Sequence, residues 1–293
     1  MTQQDPVSTF EPHRQRLFGL AYRMVGSRAD AEDLVQEAYL RWHQADRAGV
    51  ENPEAWLVTT TTRLAIDRLR RLKAEREAYT GPWLPEPIVS DSSRPERNLE
   101  LAADLSIAML TLLETLSPEE RAAFLLHDVF DVDYARIASI LERSEAACRQ
   151  VIHRARDRVR GSRRRFESTP DARRALIGKF KAATEAADEA ALLALFTADA
   201  VWTADGGGKT SASPRPLIGV NRIVSLLMGL RRKWLVDRVM EITTVNGEPG
   251  LLVRDGGRVT AVFAFDLEGD RIAAVYGVIN PDKLPGGSHD YTH

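Results

Sequence analysis

Pro82, Pro85 and Pro87 fall within one short stretch, Gly81-Pro82-Trp83-Leu84-Pro85-Glu86-Pro87. A proline ring locks φ, removes an amide donor and pushes the preceding residue out of helical geometry, so no regular helix crosses this stretch. Helical patterns lie on both sides of it. The chain must therefore fold as several bodies joined by a stiffened tether. Trp83 and Leu84 within that tether are apolar and call for a surface to dock on. Four segments are expected: 1–79, all helical; 80–98, the tether; 99–167, helical again; and 168–293, of mixed character.

In the first segment Gly26 stops one helix and Asp30 is placed to cap the next. Ala31, Leu34, Val35, Ala38, Tyr39 and Trp42 then recur as a buried stripe. Asn52-Pro53 offers a cap followed by proline at the first helical position, and the helix it starts aligns Val58, Thr62, Ala65, Ile66, Leu69 and Leu72. Its run Thr59–Thr62 has weak helix propensity and needs tertiary support.

The third segment carries a capping box with proline at the first position, Ser117-Pro118-Glu119-Glu120. Asp133 caps a short helix with Ile137, Ala138 and Leu141 inward, Glu142–Ser144 breaks it tightly, and a longer helix starts at Glu145. Two short helices around a tight break have the shape of a helix-turn-helix. At about 100° per residue, Cys148, Val151, Ile152, Ala155 and Val159 share one face of the second helix. Gln150 and His153 lie opposite, flanked by Arg149 and Arg154. Arginine pairs with guanine and glutamine with adenine through two hydrogen bonds each, so this face suits the major groove.

The net charge of the chain is −2, which argues against DNA until its distribution is considered. Arg143, Arg149, Arg154, Arg156, Arg158, Arg160, Arg163, Arg164 and Arg165 face only Glu145 and Asp157 in that stretch. Such a stripe holds phosphate locally while the rest avoids non-specific binding. The single cysteine, Cys148, excludes an intramolecular disulfide and a cysteine-rich metal site. No apolar run approaches the roughly 20 residues of a membrane span, and Met1–Glu11 lacks a signal core, so a cytoplasmic protein is expected.

These residues resemble a family. Asp30-Ala31-Glu32-Asp33-Leu34-Val35-Gln36-Glu37 is similar to the polymerase-binding helix of sigma-70-type factors. Asn52-Pro53-Glu54-Ala55-Trp56-Leu57 through Asp67-Arg68-Leu69-Arg70-Arg71 resembles their minus-ten-reading region. Leu116-Ser117-Pro118-Glu119-Glu120-Arg121 and His153-Arg154-Ala155-Arg156 resemble their minus-thirty-five-reading domain. The longer regions of housekeeping factors are absent, as in the extracytoplasmic-function group. Trp83-Leu84-Pro85-Glu86-Pro87, Asp205-Gly206-Gly207-Gly208-Lys209 and Asn280-Pro281-Asp282-Lys283-Leu284 resemble signatures of its SigJ-like subgroup, whose C-terminal extension is a SnoaL-type domain of the nuclear transport factor 2-like superfamily.

The resemblance implies a multidomain protein: two all-α sigma domains, the second with a helix-turn-helix, followed by an α+β cone-like domain. Segment 1–79 becomes sigma domain 2, 80–98 the linker, 99–167 sigma domain 4 and 168–293 the regulatory domain. Core RNA polymerase and promoter DNA become the partners, with no cofactor and no membrane. Asp33, Gln36 and Glu37 would face polymerase; Asn52, Trp56 and Arg63 would serve the minus-ten element; and Arg149, Gln150, His153, Arg154 and Arg156 the minus-thirty-five element. Arg63 departs from the asparagine that related factors often carry there. Trp83, Leu84 and Pro85 would meet Asp205, Gly207, Lys209, Asn280, Asp282 and Lys283 in a regulatory contact.

The fourth segment opens with a helix at Thr169-Pro170, continues with a short one around Leu192, and then reads as antiparallel strands near 200–204, 236–245, 259–265 and 272–279, with a turn at Glu268-Gly269-Asp270. Folds of this kind enclose a cavity able to hold a small-molecule ligand or to catalyse. No histidine lies between Thr169 and Ser288, so a general base would be a carboxylate such as Asp199, Asp205, Glu241 or Asp266. No catalytic or metal site is expected. Two alternatives remain: a ligand-sensing helix-turn-helix regulator, and an isomerase- or cyclase-like enzyme fused to helical modules. Oligomeric state is left open.

Overall fold

Ser27, not Asp30, caps the second helix, its hydroxyl accepting from the Asp30 amide at 3.3 Å. The computed structural model describes residues 6–90, 106–161 and 169–286, and its first three helices are Pro6–Val25 (α1), Arg28–Gln44 (α2) and Pro53–Glu77 (α3). Gly26, at φ 72°, ends α1 as expected. Asp30 sits in the first turn of α2 and binds Arg68 of α3 at 2.7 Å, which is why its carboxylate is not the cap. The threonine run in α3 is held by burial: Thr61 and Thr62 are fully buried, and Thr59 and Thr62 hydroxyls donate to the Ala55 and Val58 carbonyls at 2.7 Å.

Ile107–Leu113 (α4), Pro118–Asp128 (α5), Tyr134–Leu141 (α6) and Glu145–Gly161 (α7) follow. The capping box closes in both directions, Ser117 Oγ accepting from Glu120 N and Glu120 Oε2 accepting from Ser117 N. Asp133 caps α6. Glu142 ends it in the left-handed region at φ 54°, and the Glu142 and Arg143 amides both donate to the Ala138 carbonyl. That geometry makes the tight break of the helix-turn-helix.

The described residues gather into two compact units: 6–77 with 112–161, and 78–90 and 106–111 with 169–286. The helical residues 6–77 and 112–161 thus share one body, and tether residues 80–90 belong to the mixed one. Arg163, Arg164 and Arg165, the side chain of Arg160, the boundaries near 98 and 167, and the tail beyond residue 286 lie outside the described residues.

The second unit contains Pro170–Ala186 (α8), Glu189–Leu195 (α9), Phe196–Asp205 (β1), Leu217–Ile218 (β2), Val220–Lys233 (α10), Val239–Val245 (β3), Glu248–Asp255 (β4), Arg258–Glu268 (β5) and Arg271–Val278 (β6). Its six-stranded sheet runs β2-β1-β6-β5-β4-β3. The expected all-antiparallel arrangement is corrected at one place: β1 and β6 are parallel, because β1 leaves the sheet through α10 and the chain returns by β3, β4 and β5. Strand β4 and helix α10 were not expected from sequence. Leu176, Ile177 and Phe180 of α8, Ile223, Val224 and Leu227 of α10, and Phe196, Trp202, Phe263 and Phe265 of the sheet form the core. Phe180 meets Phe196 and Phe265 edge-on at 5.9 and 5.3 Å, and Trp202 lies 5.4 Å from Phe263.

Candidate functional site

On α7, Cys148, Val151, Ile152, Ala155 and Val159 are all buried, the face that periodicity assigns to packing. Arg149, Gln150, His153 and Arg154 are exposed opposite them. Arg149 donates to Glu145 at 2.9 Å and stacks 5.0 Å over the Tyr134 ring, which presents its guanidinium from a fixed position. His153 Nδ1 lies 2.9 Å from Asp157. Arg156, expected beside the DNA-facing residues, is half-buried and forked onto Asp128 at the end of α5. It sits next to Ala155 at the edge of the packed face, so its present task is to tie α7 to α5.

On α2, Asp33 and Gln36 are exposed and Glu37 is half-buried, paired with Arg41 at 2.8 Å. Asn52 Oδ1 accepts from Ala55 N at 2.9 Å, so this side chain caps α3. The Trp56 ring packs 5.3 Å from Trp42. Arg63 reaches α6: Nε donates to the Ile140 carbonyl at 3.2 Å, Nη2 to the Ser139 carbonyl at 3.1 Å, and Glu142 lies 3.1 Å away. Arg136 of α6 donates to Thr59 Oγ1 at 3.0 Å, and Arg70 of α3 to Glu119 of α5 at 2.6 Å.

A charge node around the buried Arg121 lies in the same unit and was not foreseen. Arg121 of α5, 2% exposed, donates to the Leu113 carbonyl at 2.9 Å and the Met24 carbonyl at 2.5 Å, and Glu114 lies 2.8 Å from it. Arg76 of α3 donates to the Val25 carbonyl at 2.6 Å and binds the same Glu114. Two cations thus meet the negative end of α1 and share one carboxylate. Burial pulls the Arg76 guanidinium below its ordinary value against the pull of Glu114. Nothing in the spacing of these residues signals the node, since its partners lie on three elements.

In the second unit, Asp205 ends β1 and is fully buried. Oδ1 accepts from the Tyr79 hydroxyl at 2.6 Å and Gly207 N at 3.1 Å; Oδ2 accepts from Leu84 N at 2.9 Å and Lys283 Nζ at 2.7 Å. Lys283 also donates to the Leu84 carbonyl at 2.7 Å and lies 4.1 Å from the Trp83 ring centre. Asn280 Nδ2 donates to Tyr79 Oη at 2.9 Å, while its Oδ1 caps the turn by accepting from Asp282 N at 3.1 Å. Lys209 binds both Asp282 oxygens, at 2.8 and 2.6 Å. Gly207 has φ 60°, and a Cβ there would collide with the Asn280 carboxamide, so both conformation and space require glycine.

Leu84 is wholly buried in this clamp, and Trp83 and Pro85 are half-buried and buried. Tyr79, which sequence reading passed over, is central to it. Burial, and then its bond to Asp205, push the phenol upward, so it stays a donor at neutral pH. A second anchor follows along the tether. Ile88 N donates to Asn246 Oδ1 at 2.9 Å, Asn246 N to the Ile88 carbonyl at 2.8 Å, and Ser90 N to the Thr244 carbonyl at 3.0 Å. Val89 pairs antiparallel with Val245, so the tether adds a rung to the sheet edge.

The other carboxylates considered as bases are elsewhere: Asp199 is exposed, Glu241 binds Arg254 at 3.1 Å, and Asp266 lies in β5. Among the described residues no group of three or more His, Cys, Asp or Glu could hold a metal ion, and no helix is long and apolar enough to cross a membrane.

Sigma-70 region 2 matches residues 9–75 and Sigma-70, region 4 matches residues 106–159. The chain is 38% identical over 292 residues to the ECF RNA polymerase sigma factor SigJ of Mycobacterium tuberculosis, covering 96% of this chain and 93% of that one. It is 29% identical over 288 residues to the probable ECF RNA polymerase sigma factor SigI of the same species, covering 97% of each. The crystal structure of Mycobacterium tuberculosis SigJ superposes with a TM-score of 0.79 at 34% identity, covering 96% of this chain and 99% of that one.

Proposed function

The chain belongs to the extracytoplasmic-function RNA polymerase sigma factors, and from that premise we propose how its residues divide the work of promoter-specific transcription initiation. It binds core RNA polymerase and promoter DNA. Residues 1–79 act as sigma domain 2 and 99–167 as sigma domain 4, joined by the linker 80–98. Exposed Asp33 and Gln36, with Glu37, meet polymerase. Gln150 and Arg154 enter the major groove at the minus-thirty-five element, flanked by Arg149 and His153. Each good two-bond base contact there discriminates by about 1–3 kcal/mol. Arg156 supports α7 from Asp128 and is the residue of this set least ready to touch DNA. Asn52 caps α3, Trp56 in its first turn packs on Trp42 of α2, and Arg63, hydrogen-bonded to α6, is the third residue assigned to the minus-ten element.

Residues 168–293, a SnoaL-like domain, regulate initiation through the linker. The observation that carries this reading is Asp205: one buried carboxylate binds the amide of linker residue Leu84 and the Lys283 ammonium that also holds the Leu84 carbonyl. All four of its contacts are committed to the clamp, which leaves this carboxylate structural and argues against a catalytic base. A sigma factor must match a fixed spacing between promoter elements, so a domain that grips the linker sets how its two DNA-reading modules reach them. As a partner of polymerase, it works in the cytoplasm.

Run-off transcription with purified core polymerase tests both levels. The full chain should initiate from its promoter, and Trp83→Ala or Lys209→Ala should change the yield without removing polymerase binding. Equal transcription by wild type and both variants at equal protein would sink the regulatory clamp. Loss of polymerase association in every form of the chain would sink the assignment of roles in the helical unit.

A further inference from the structure

Arg149 and Arg154 flank Gln150 and His153 on the exposed face of α7, and they are not held alike. The Arg149 guanidinium lies 5.0 Å over the Tyr134 ring and gives Nη2 to Glu145 at 2.9 Å. Among the described residues Arg154 has no comparable brace. Tyr134 opens α6, the first helix of the helix-turn-helix, directly after its cap Asp133. Its ring is half-buried and packs 4.3 Å from the His127 ring near the end of α5. His127 Nδ1 lies 3.1 Å from the Val132 carbonyl, so the imidazole is itself fixed. The tyrosine ring cannot swing away from Arg149 without unpacking from α5.

Reading guanine asks for a planar guanidinium with two N–H groups aimed at O6 and N7 together. A long exposed arginine loses much rotamer freedom when it is brought to that geometry. One already laid on an aromatic face has lost that freedom before DNA arrives, which removes the cost from binding. Stacking engages the face of the guanidinium and leaves its edge N–H groups free to donate. Glu145 takes one of these, and others remain for a base. An unbraced arginine such as Arg154 has no preset plane and suits a phosphate, which carries no sequence information. The same tyrosine also meets Arg156. Asp128, against the opposing effect of burial, holds the Arg156 guanidinium above its ordinary value, and Tyr134 adds to this. The ring thus serves Arg149 and the oxygen serves Arg156, about two turns along α7.

We propose that Tyr134 is a positioning residue for promoter recognition: its ring fixes Arg149 as the reader of one guanine in the minus-thirty-five element. The inference rests on the promoter-reading role given to α7 above. Tyr134 acts through Arg149 and sets preference at one base pair rather than total affinity, since phosphate contacts from other side chains supply much of the affinity. Face and oxygen have separate tasks, so they can be removed one at a time. Tyr134→Phe keeps the face and drops the oxygen. Tyr134→Gln keeps an oxygen and drops the face.

The test uses the full chain with core polymerase, on promoter duplexes whose minus-thirty-five element the wild-type holoenzyme has enriched from a randomised pool. Each base pair of the element is then replaced in turn, and run-off yield at limiting holoenzyme gives the preference at each position as a ratio within one protein. Arg149→Ala should flatten the preference at one guanine, about tenfold in the wild type, and so identifies the pair it reads. Tyr134→Gln should cut the preference at that same pair to about threefold or less and leave every other pair within about twofold of wild type, while Tyr134→Phe keeps the wild-type profile. Tyr134→Gln combined with Arg149→Ala should be no flatter than Arg149→Ala by itself, because the tyrosine acts only through the arginine. The proposal is overturned if folded Tyr134→Gln keeps the full preference, or if it lowers yield on every duplex by one common factor, as a merely structural role would. An Arg149→Ala variant that flattens no position overturns the base-reading role of Arg149 and the proposal with it. A wild-type holoenzyme that enriches no element overturns the role of α7 beneath both. Should Tyr134→Gln unfold, Tyr134→Leu also lacks the ring and carries the same expectation.

Discussion

Arg63 and Asp205 each join segments distant in sequence, yet the two contacts are built differently. Arg63 is half-exposed, offers a guanidinium to two backbone carbonyls and a carboxylate that is itself largely in water, and leaves little behind when it lets go. Asp205 is sealed from solvent, and each of its contacts satisfies a group that would otherwise lose its partner on burial. Exposed charge contacts are worth little and exchange easily, whereas breaking a buried pair strands a charge. The comparison teaches where a contact can be exchanged and where it is made to hold: Arg63 can trade its partners with water, and Asp205 cannot.

Asp205→Asn should break that contrast most severely. An amide cannot accept from Tyr79, Gly207, Leu84 and Lys283 together, and the Lys283 ammonium is left buried. The expected loss is about 3–5 kcal/mol in the urea unfolding of the C-terminal unit, with protease cutting newly admitted near Leu84. A loss under about 1 kcal/mol would make Asp205 no different from a surface pair. Gly207→Ala, forced to positive φ against Asn280, should cost about 1–3 kcal/mol by the same measurement. Asn246→Ala removes the acceptor for Ile88 N and should cost about 1–2 kcal/mol, releasing the linker from the sheet edge while leaving Asp205 bound; amide exchange at Ile88 and Ser90 reads the two anchors apart.

Glu119→Gln, which takes Arg70 away from α5, should change stability by less than about 1 kcal/mol. The smallest effect is expected in acid. Glu120 pays a desolvation penalty, but its bonds to Ser117 and the nearby Arg158 hold its carboxyl below the usual glutamate range. A folded-state value lowered in this way contributes stability that is complete above the unfolded value and is lost as pH falls through the folded one. Protection of the Ser117 amide, its exchange rate relative to the intrinsic rate at each pH, should therefore fall only below the ordinary glutamate range, and a fall in protection near neutral pH would refute the capping role.

Several elements were legible because their causes are local. Ser117 and Glu120 are three residues apart, and Asp133 lies at the turn it caps. The inward face of α7 follows from spacing alone. Where two local solutions compete, reading failed: Ser27 and Asp30 are both good caps, and Arg68 of α3 decided between them by binding Asp30. Strand β4 was hidden by Pro249-Gly250, which reads as a turn. In the fold Gly250 is needed because a Cβ there would press on Val245 and the Phe263 carbonyl of neighbouring strands. Helix α10 was hidden because Gly219 gives it no side-chain cap. Its stripe Ile223, Val224 and Leu227 was present all along.

The three signature stretches named the pieces of the clamp, but not Tyr79, which precedes the linker without any pattern around it and lies 126 residues from its partner. Composition, caps and periodicity by themselves determined the helices other than α10, the tight break before α7, the stiffness of the tether and its demand for a docking surface. Only the tertiary structure decided that the tether lies on the β3 edge, that Arg156 is engaged by Asp128 and Arg63 by the end of α6, and that Glu114 joins three elements. Caps and periods act within about one helical turn, where neighbours in sequence are neighbours in space. A buried carboxylate chooses its partners from whatever the completed fold brings within about 3 Å, and sequence distance places no limit on that choice.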